Sequence, residues 1–207
     1  MPSYSYLHDR DSLGISSKRF LHIHIPRCGG RFLYENLHQN GFECEQYVLT
    51  SLSGVEIMHF HRELYENHLE VENIPHFVVI RNPIDRFFSA SIALKYMLGD
   101  DIQEEAENDF EGMLNRLPYT QGKQWFRSQL DYLTDSTHVW KFEDGLGDEF
   151  SEWLSNILQV KIRMIPNLYY EKVFFTNTQL EKTDKLLYNV KEYYKNDLNK
   201  LYPNETT

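Results

Sequence analysis

Apolar positions fall in short runs over the first hundred residues and at helical spacing beyond them. FLHIHI (20–25), VEIMHF (55–60) and HFVVI (76–80) have the length and bounding residues of strands. RFLYENLHQNG (31–41) predicts a helix stopped by Gly41, and the Arg81-Asn82-Pro83 turn predicts a second helix from Ile84 to Leu98. Past residue 100 the pattern predicts helices over 103–116, 121–133, 146–158 and 178–200, interrupted by one strand, STHVWKF (136–142). Strand, helix, strand, strand, helix, then mostly helices, predicts an α/β fold with a small central parallel sheet and a helix-rich C-terminal half. No repeat, low-complexity linker or boundary is visible, so a single domain over 1–207 is expected, with 1–18 as a candidate flexible N-terminus.

Composition narrows the function. The chain has 207 residues, 41% of them hydrophobic, enough for a proper core. Its formal charge of −10 argues against nucleic acid as main partner, because phosphate-backbone binding needs a basic face. No run reaches the roughly 18 apolar residues of a membrane span, and MPSYSYLHDRDS lacks a signal-peptide core, so a cytoplasmic setting without membrane contact is expected. Cys28 and Cys44 are too few for a disulfide framework and match no zinc spacing, so both are expected as reduced thiols. The acidic run from Asp100, DDIQEEAENDFE, reads as a solvated helix start.

In a parallel α/β sheet the ligand site lies beyond the carboxyl ends of the strands. Three stretches are expected there: PRCGGR after the first strand, HFH at the end of the second, and RNPIDR after the third. They carry the local cations Arg27, Arg31, Arg81 and Arg86, and they suit an anion gripped by backbone amides and guanidinium groups. The first stretch is neither a nucleoside-triphosphatase loop, G-x-x-x-x-G-K-[ST], nor a dinucleotide fingerprint, G-x-G-x-x-G. It also lacks the arginine six positions after cysteine that a cysteine phosphatase would need, since Tyr34 stands there.

HIPRCGGRFL resembles the 5′-phosphosulfate loop of sulfotransferases that use 3′-phosphoadenosine 5′-phosphosulfate (PAPS), usually H-I-P-K-T-G-G-T-S. RNPIDRFFSA resembles their 3′-phosphate segment, R-[DN]-P-x-x-R-x-x-S, with Arg81 and Ser89 as its arginine and serine. Between them MHFHREL is similar to the H-G-H of the carbohydrate (heparan-sulfate 2-O-type) branch, and VWKFEDGL and the tyrosine-rich C-terminal helix resemble looser features. The resemblance implies a three-layer, P-loop-like fold and an O-sulfotransferase that moves a sulfuryl group from PAPS to a hydroxyl, on a carbohydrate, releasing 3′-phosphoadenosine 5′-phosphate (PAP) without a metal.

It also implies roles. The amides of Cys28, Gly29, Gly30, Arg31 and Phe32 would hold the phosphosulfate, and Arg81 and Ser89 the 3′-phosphate. Arg27 stands where the family has a lysine that neutralises the leaving oxygen, and arginine keeps the charge without the compact ammonium. Arg31 and Phe32 replace two hydroxyl residues. Cys28, also in a hydroxyl position, reads as a small filler. Arg86 reads as a surface salt bridge of its helix.

The acceptor needs a base, and histidine suits neutral pH. By similarity His61 is that base and His59 its support; two apart at a strand end, they would share a side if the extended backbone continued. His22 and His24 form a second such pair, read as structural. Two rivals follow. One is a nucleotide-binding module without catalysis; the other is a hydrolase whose four histidines, with Glu143 or Asp144, hold a metal.

Overall fold

RFLHI and HFVVI, the two most continuous apolar runs, lie side by side as parallel strands, β2 (Arg19–Ile23) and β6 (His76–Ile80), in register Leu21 with His76 and Ile23 with Val78. Four of five residues in each are buried, as expected of a parallel pair covered on both faces. The fold comes from a computed structural model that describes residues 3–6, 19–44, 51–52, 55–68, 74–99, 101–118, 123–166 and 181–205. The chain forms two compact units, Met1–Ile80 with Tyr132–Tyr169, and Arg81–Asp131 with Tyr170–Thr207.

The first unit is built on a five-stranded sheet of order β3-β1-β2-β6-β7. β7 (His138–Lys141) extends the parallel trio, pairing Phe77 with His138 and Ile80 with Lys141. On the other side β1 (Ser3–Tyr6) runs antiparallel to both β2 and β3 (Phe42–Cys44). The expected small parallel sheet is present, widened by two antiparallel strands. Of the N-terminal segment 1–18, residues 3–6 form a strand and the others lie outside the described residues.

The run 55–60 departs from expectation. Only Val55–Glu56 is extended (β5), paired with Ser51–Leu52 (β4) in a separate ladder, and Ile57–His59 then turns as 3₁₀. The carbonyl of His61 accepts from Leu64 and Tyr65, opening α2 (Arg62–His68), so a 3₁₀ turn leading into a helix replaces most of the expected strand. A six-residue apolar run does not distinguish the two.

Two helices carry the rest of this unit. α1 (Gly30–Gln39) buries Leu33 and Leu37, one turn apart. In α7 (Asp148–Leu158) Phe150, Leu154 and Leu158 form the buried stripe, with Asp148 and Glu149 at the favourable N-terminal end. An extended segment joins them through side chains. Asn36 of α1 and its C-cap Asn40 accept from the amides of Ile165 and Arg163, at 2.6 and 2.9 Å, while the Ser155 and Ser151 hydroxyls of α7 accept from Ile162 and Met164, at 2.9 and 3.0 Å.

The described residues of the second unit form helices and the loops between them, with no strand among them. α3 (Pro83–Leu98) starts on Asn82, whose side chain accepts from the Ile84 amide, with proline at N1, and it stops at Gly99 in the left-handed region. The helix expected over 103–116 is broken at Asp109 into α4 (Gln103–Asn108) and α5 (Phe110–Arg116), because the Asp109 carboxylate accepts from the Gly112 amide and caps a new start. Over 121–133 there is one turn, α6 (Gln124–Phe126), then 3₁₀ at Gln129–Tyr132. The last helix begins at its Thr183 cap as α8 (Asp184–Tyr193) and resumes past Tyr194 as α9 (Lys195–Leu201). Phe87, Phe110 and Phe126 meet at the core with ring centroids 5.3 to 5.6 Å apart around Phe87, joined by Leu186 and Val190.

Arg86 sits inside this core, against the expectation of a surface ion pair. It is fully buried (0% exposed), and its guanidinium donates to the Trp125 and Arg127 carbonyls at 2.9 and 2.5 Å and faces the Tyr194 hydroxyl at 3.5 Å.

Candidate functional site

The PRCGGR turn connects the end of β2 to α1 through two left-handed residues. Arg27, two residues before the N-cap of α1, has φ 69°, a conformation uncommon for a residue with a side chain. Gly29, at φ 82°, is the N-cap of α1. A Cβ on Gly29 would also stand 3.0 Å from Leu146 and 3.1 Å from Phe142, so the segment after β7 lies against the turn. The first intrahelical bond runs from the Leu33 amide to the Gly29 carbonyl at 3.1 Å, and the amides of Gly30, Arg31 and Phe32 precede it. The N-cap glycine offers no side chain to cap this end, and no acidic residue occupies the first turn, so among the described residues the positive end of the helix field is left to an anion.

Not every expected amide is equivalent. The Cys28 amide closes the turn onto the Ile25 carbonyl at 3.3 Å, and its thiol is buried, in keeping with a filler. Arg31 is exposed and Phe32 half-buried. Gly30 has a packing reason for its identity: a Cβ there would lie 1.8 Å from His24 Nε2.

His24 belongs to a buried histidine stack. Its ring lies 5.6 Å from that of His22 and 4.8 Å from that of His59, and His22 stacks in turn on Phe77 at 4.8 Å. Burial holds His24 well below the ordinary imidazole range, the neighbouring His59 and His22 adding to it, and burial lowers His22 to about 3. His22 and His24 are therefore neutral at pH 7.

His59 and His61 meet different partners, one closing a 3₁₀ turn and the other standing just before α2. His59 ends the 3₁₀ turn and faces His24; the buried His61 ring lies edge-on to Tyr132 at 6.5 Å, with Nε2 3.8 Å from the Glu63 carboxylate. Among the described residues no three histidines, cysteines or carboxylates are grouped to hold a metal, so the hydrolase alternative finds no ligand set there.

In the second unit Arg81 is the residue between β6 and the Asn82 cap. Its peptide is gripped on both sides by the Gln129 side chain: the Arg81 amide donates to Gln129 Oε1 at 2.9 Å, and Gln129 Nε2 donates to the Arg81 carbonyl at 2.7 Å. Ser89 is half-buried near the close of the second turn of α3. Sequence reasoning does not mark Phe142, Leu146 or Gln129 as site residues; the first two fall only within VWKFEDGL, the stretch that resembles a looser family feature. No described helix is long and apolar enough to cross a membrane. The chain matches no protein-family model, no curated protein and no solved structure.

Proposed function

We propose that the protein is a PAPS-dependent O-sulfotransferase that transfers a sulfuryl group to a hydroxyl of a carbohydrate. The observation that carries this reading is the PRCGGR turn, whose two left-handed residues present an uncapped helix start with no acidic residue in its first turn. Sulfuryl transfer, like phosphoryl transfer, asks mainly for in-line positioning and charge neutralisation. The first-turn amides of α1 hold the phosphosulfate, and the Arg27 guanidinium meets the charge that develops on the leaving oxygen. Arg81 and Ser89 take the 3′-phosphate. His61 accepts the acceptor's proton, and the nearby Glu63 carboxylate favours the imidazolium that results. The three-layer, P-loop-like arrangement and a cytoplasmic setting belong to the same proposal.

A second reading, nucleotide binding without catalysis, draws on His59 and His61 meeting different partners. Thermal melting with PAP, followed by transfer of radiolabelled sulfate from PAPS to a glycan panel, tests both. PAP at a hundredfold excess over its dissociation constant should stabilise the fold by about 2.7 kcal/mol, with ATP weaker. No shift with millimolar PAP removes both readings; a shift without transfer to any glycan favours the second.

A further inference from the structure

We infer that Gln129, anchored by Asp197, is the positioning residue that sets Arg81 for a nucleotide 3′-phosphate, an inference that rests on the sulfotransferase reading. Arg81 follows the last residue of β6 and precedes the cap of α3, so neither a strand ladder nor a helix takes up its peptide groups. The planar amide of Gln129 takes up both, at 2.9 and 2.7 Å, as a neighbouring strand would. Gln129 is itself fully buried (0% exposed), and its own amide donates to Asp197 Oδ2 at 2.8 Å. The other Asp197 oxygen accepts from the Ser128 hydroxyl, and this carboxylate on α9 is 1% exposed. Buried polar groups that are fully engaged hold a unique geometry, and here the series runs from α9 through 128–129 to the backbone of one arginine. A guanidinium that must form paired bonds to a phosphate depends on where its backbone is held.

Gln129→Glu keeps the shape and the acceptor for the Arg81 amide but removes the donor to its carbonyl. Asp197→Asn keeps the shape and removes the charge that holds Gln129. Calorimetry should measure the affinity of the full chain and of each folded variant, including Arg81→Ala, for PAP and for adenosine 5′-phosphate. Gln129→Glu or Asp197→Asn should weaken PAP about tenfold or more while adenosine 5′-phosphate changes less than about twofold, as for supporting residues behind a binding group. Arg81→Ala should show the same selectivity. Equal loss for both nucleotides, or no loss, in a variant with wild-type near-ultraviolet dichroism overturns the positioning role even if Arg81→Ala is selective. Should the unaltered chain fail to bind PAP, the sulfotransferase reading itself falls.

Discussion

The His24 imidazole fills the space that a side chain at Gly30 would need: a Cβ at 30 would approach His24 Nε2 to 1.8 Å. A histidine at the end of the β2 run and the first residue of α1 are thus shaped to one another. Gly30→Ala should destabilise the protein by about 1 to 3 kcal/mol, the range for overpacking a filled interior. Urea unfolding of Gly30→Ala, His24→Ala and the double variant checks it. The coupling should reach about 0.5 kcal/mol or more, and additive losses would show that the two do not meet.

The buried histidines predict acid sensitivity with a definite sign. Above pH 6.5 His22 is neutral folded and unfolded and adds no pH dependence. As pH falls below 6.5 the unfolded chain binds a proton that the folded chain refuses until about pH 3, so stability is lost across that window. Each such histidine contributes a slope of about 1.4 kcal/mol per pH unit well inside it. His22→Phe keeps an aromatic ring over Phe77 and should reduce the slope by about that amount in urea titrations at pH 5 and pH 4.

Arg27 holds a left-handed backbone that glycine would adopt without strain. Arg27→Gly should leave stability unchanged or raise it by up to about 1 kcal/mol, yet weaken PAP by about 1.5 to 3 kcal/mol through loss of a charged donor. Parallel melting and calorimetry decide it. A variant that binds PAP as well as the unaltered chain would show that the guanidinium does not meet the nucleotide.

If His61 is the general base, His61→Ala should lower sulfate transfer about 10² to 10⁴-fold with PAP affinity nearly unchanged. Full transfer in that variant would move the role elsewhere, and His59→Ala would be the next variant to assay.

Arg86 is a structural cation. Arg86→Met leaves the Trp125 and Arg127 carbonyls without their guanidinium donor and should cost about 2 to 4 kcal/mol in chemical denaturation. Arg86→Lys should recover little, because one ammonium cannot reproduce a fork that reaches two carbonyls. A lysine variant as stable as the original would show that charge alone suffices.

Local pattern alone determined the elements around the turn. The buried runs of β2 and β6, the glycine that stops α1, and the Asn82-Pro83 start of α3 are legible because each depends on neighbours within a few residues. Tertiary structure decided the rest. SYSY is a strand only because β2 and β3 lie on either side of it, and VEIMHF leaves the extended state at Ile57, where a 3₁₀ turn leads toward α2. Arg86 reads as a surface residue until Trp125, Arg127 and Tyr194 close around it, and Gln129 reads as an ordinary polar residue until its amide meets Arg81, 48 positions earlier. Periodicity records which face of an element is apolar; it carries no information on which distant backbone groups a buried polar side chain must satisfy, and those are fixed only when the chain packs.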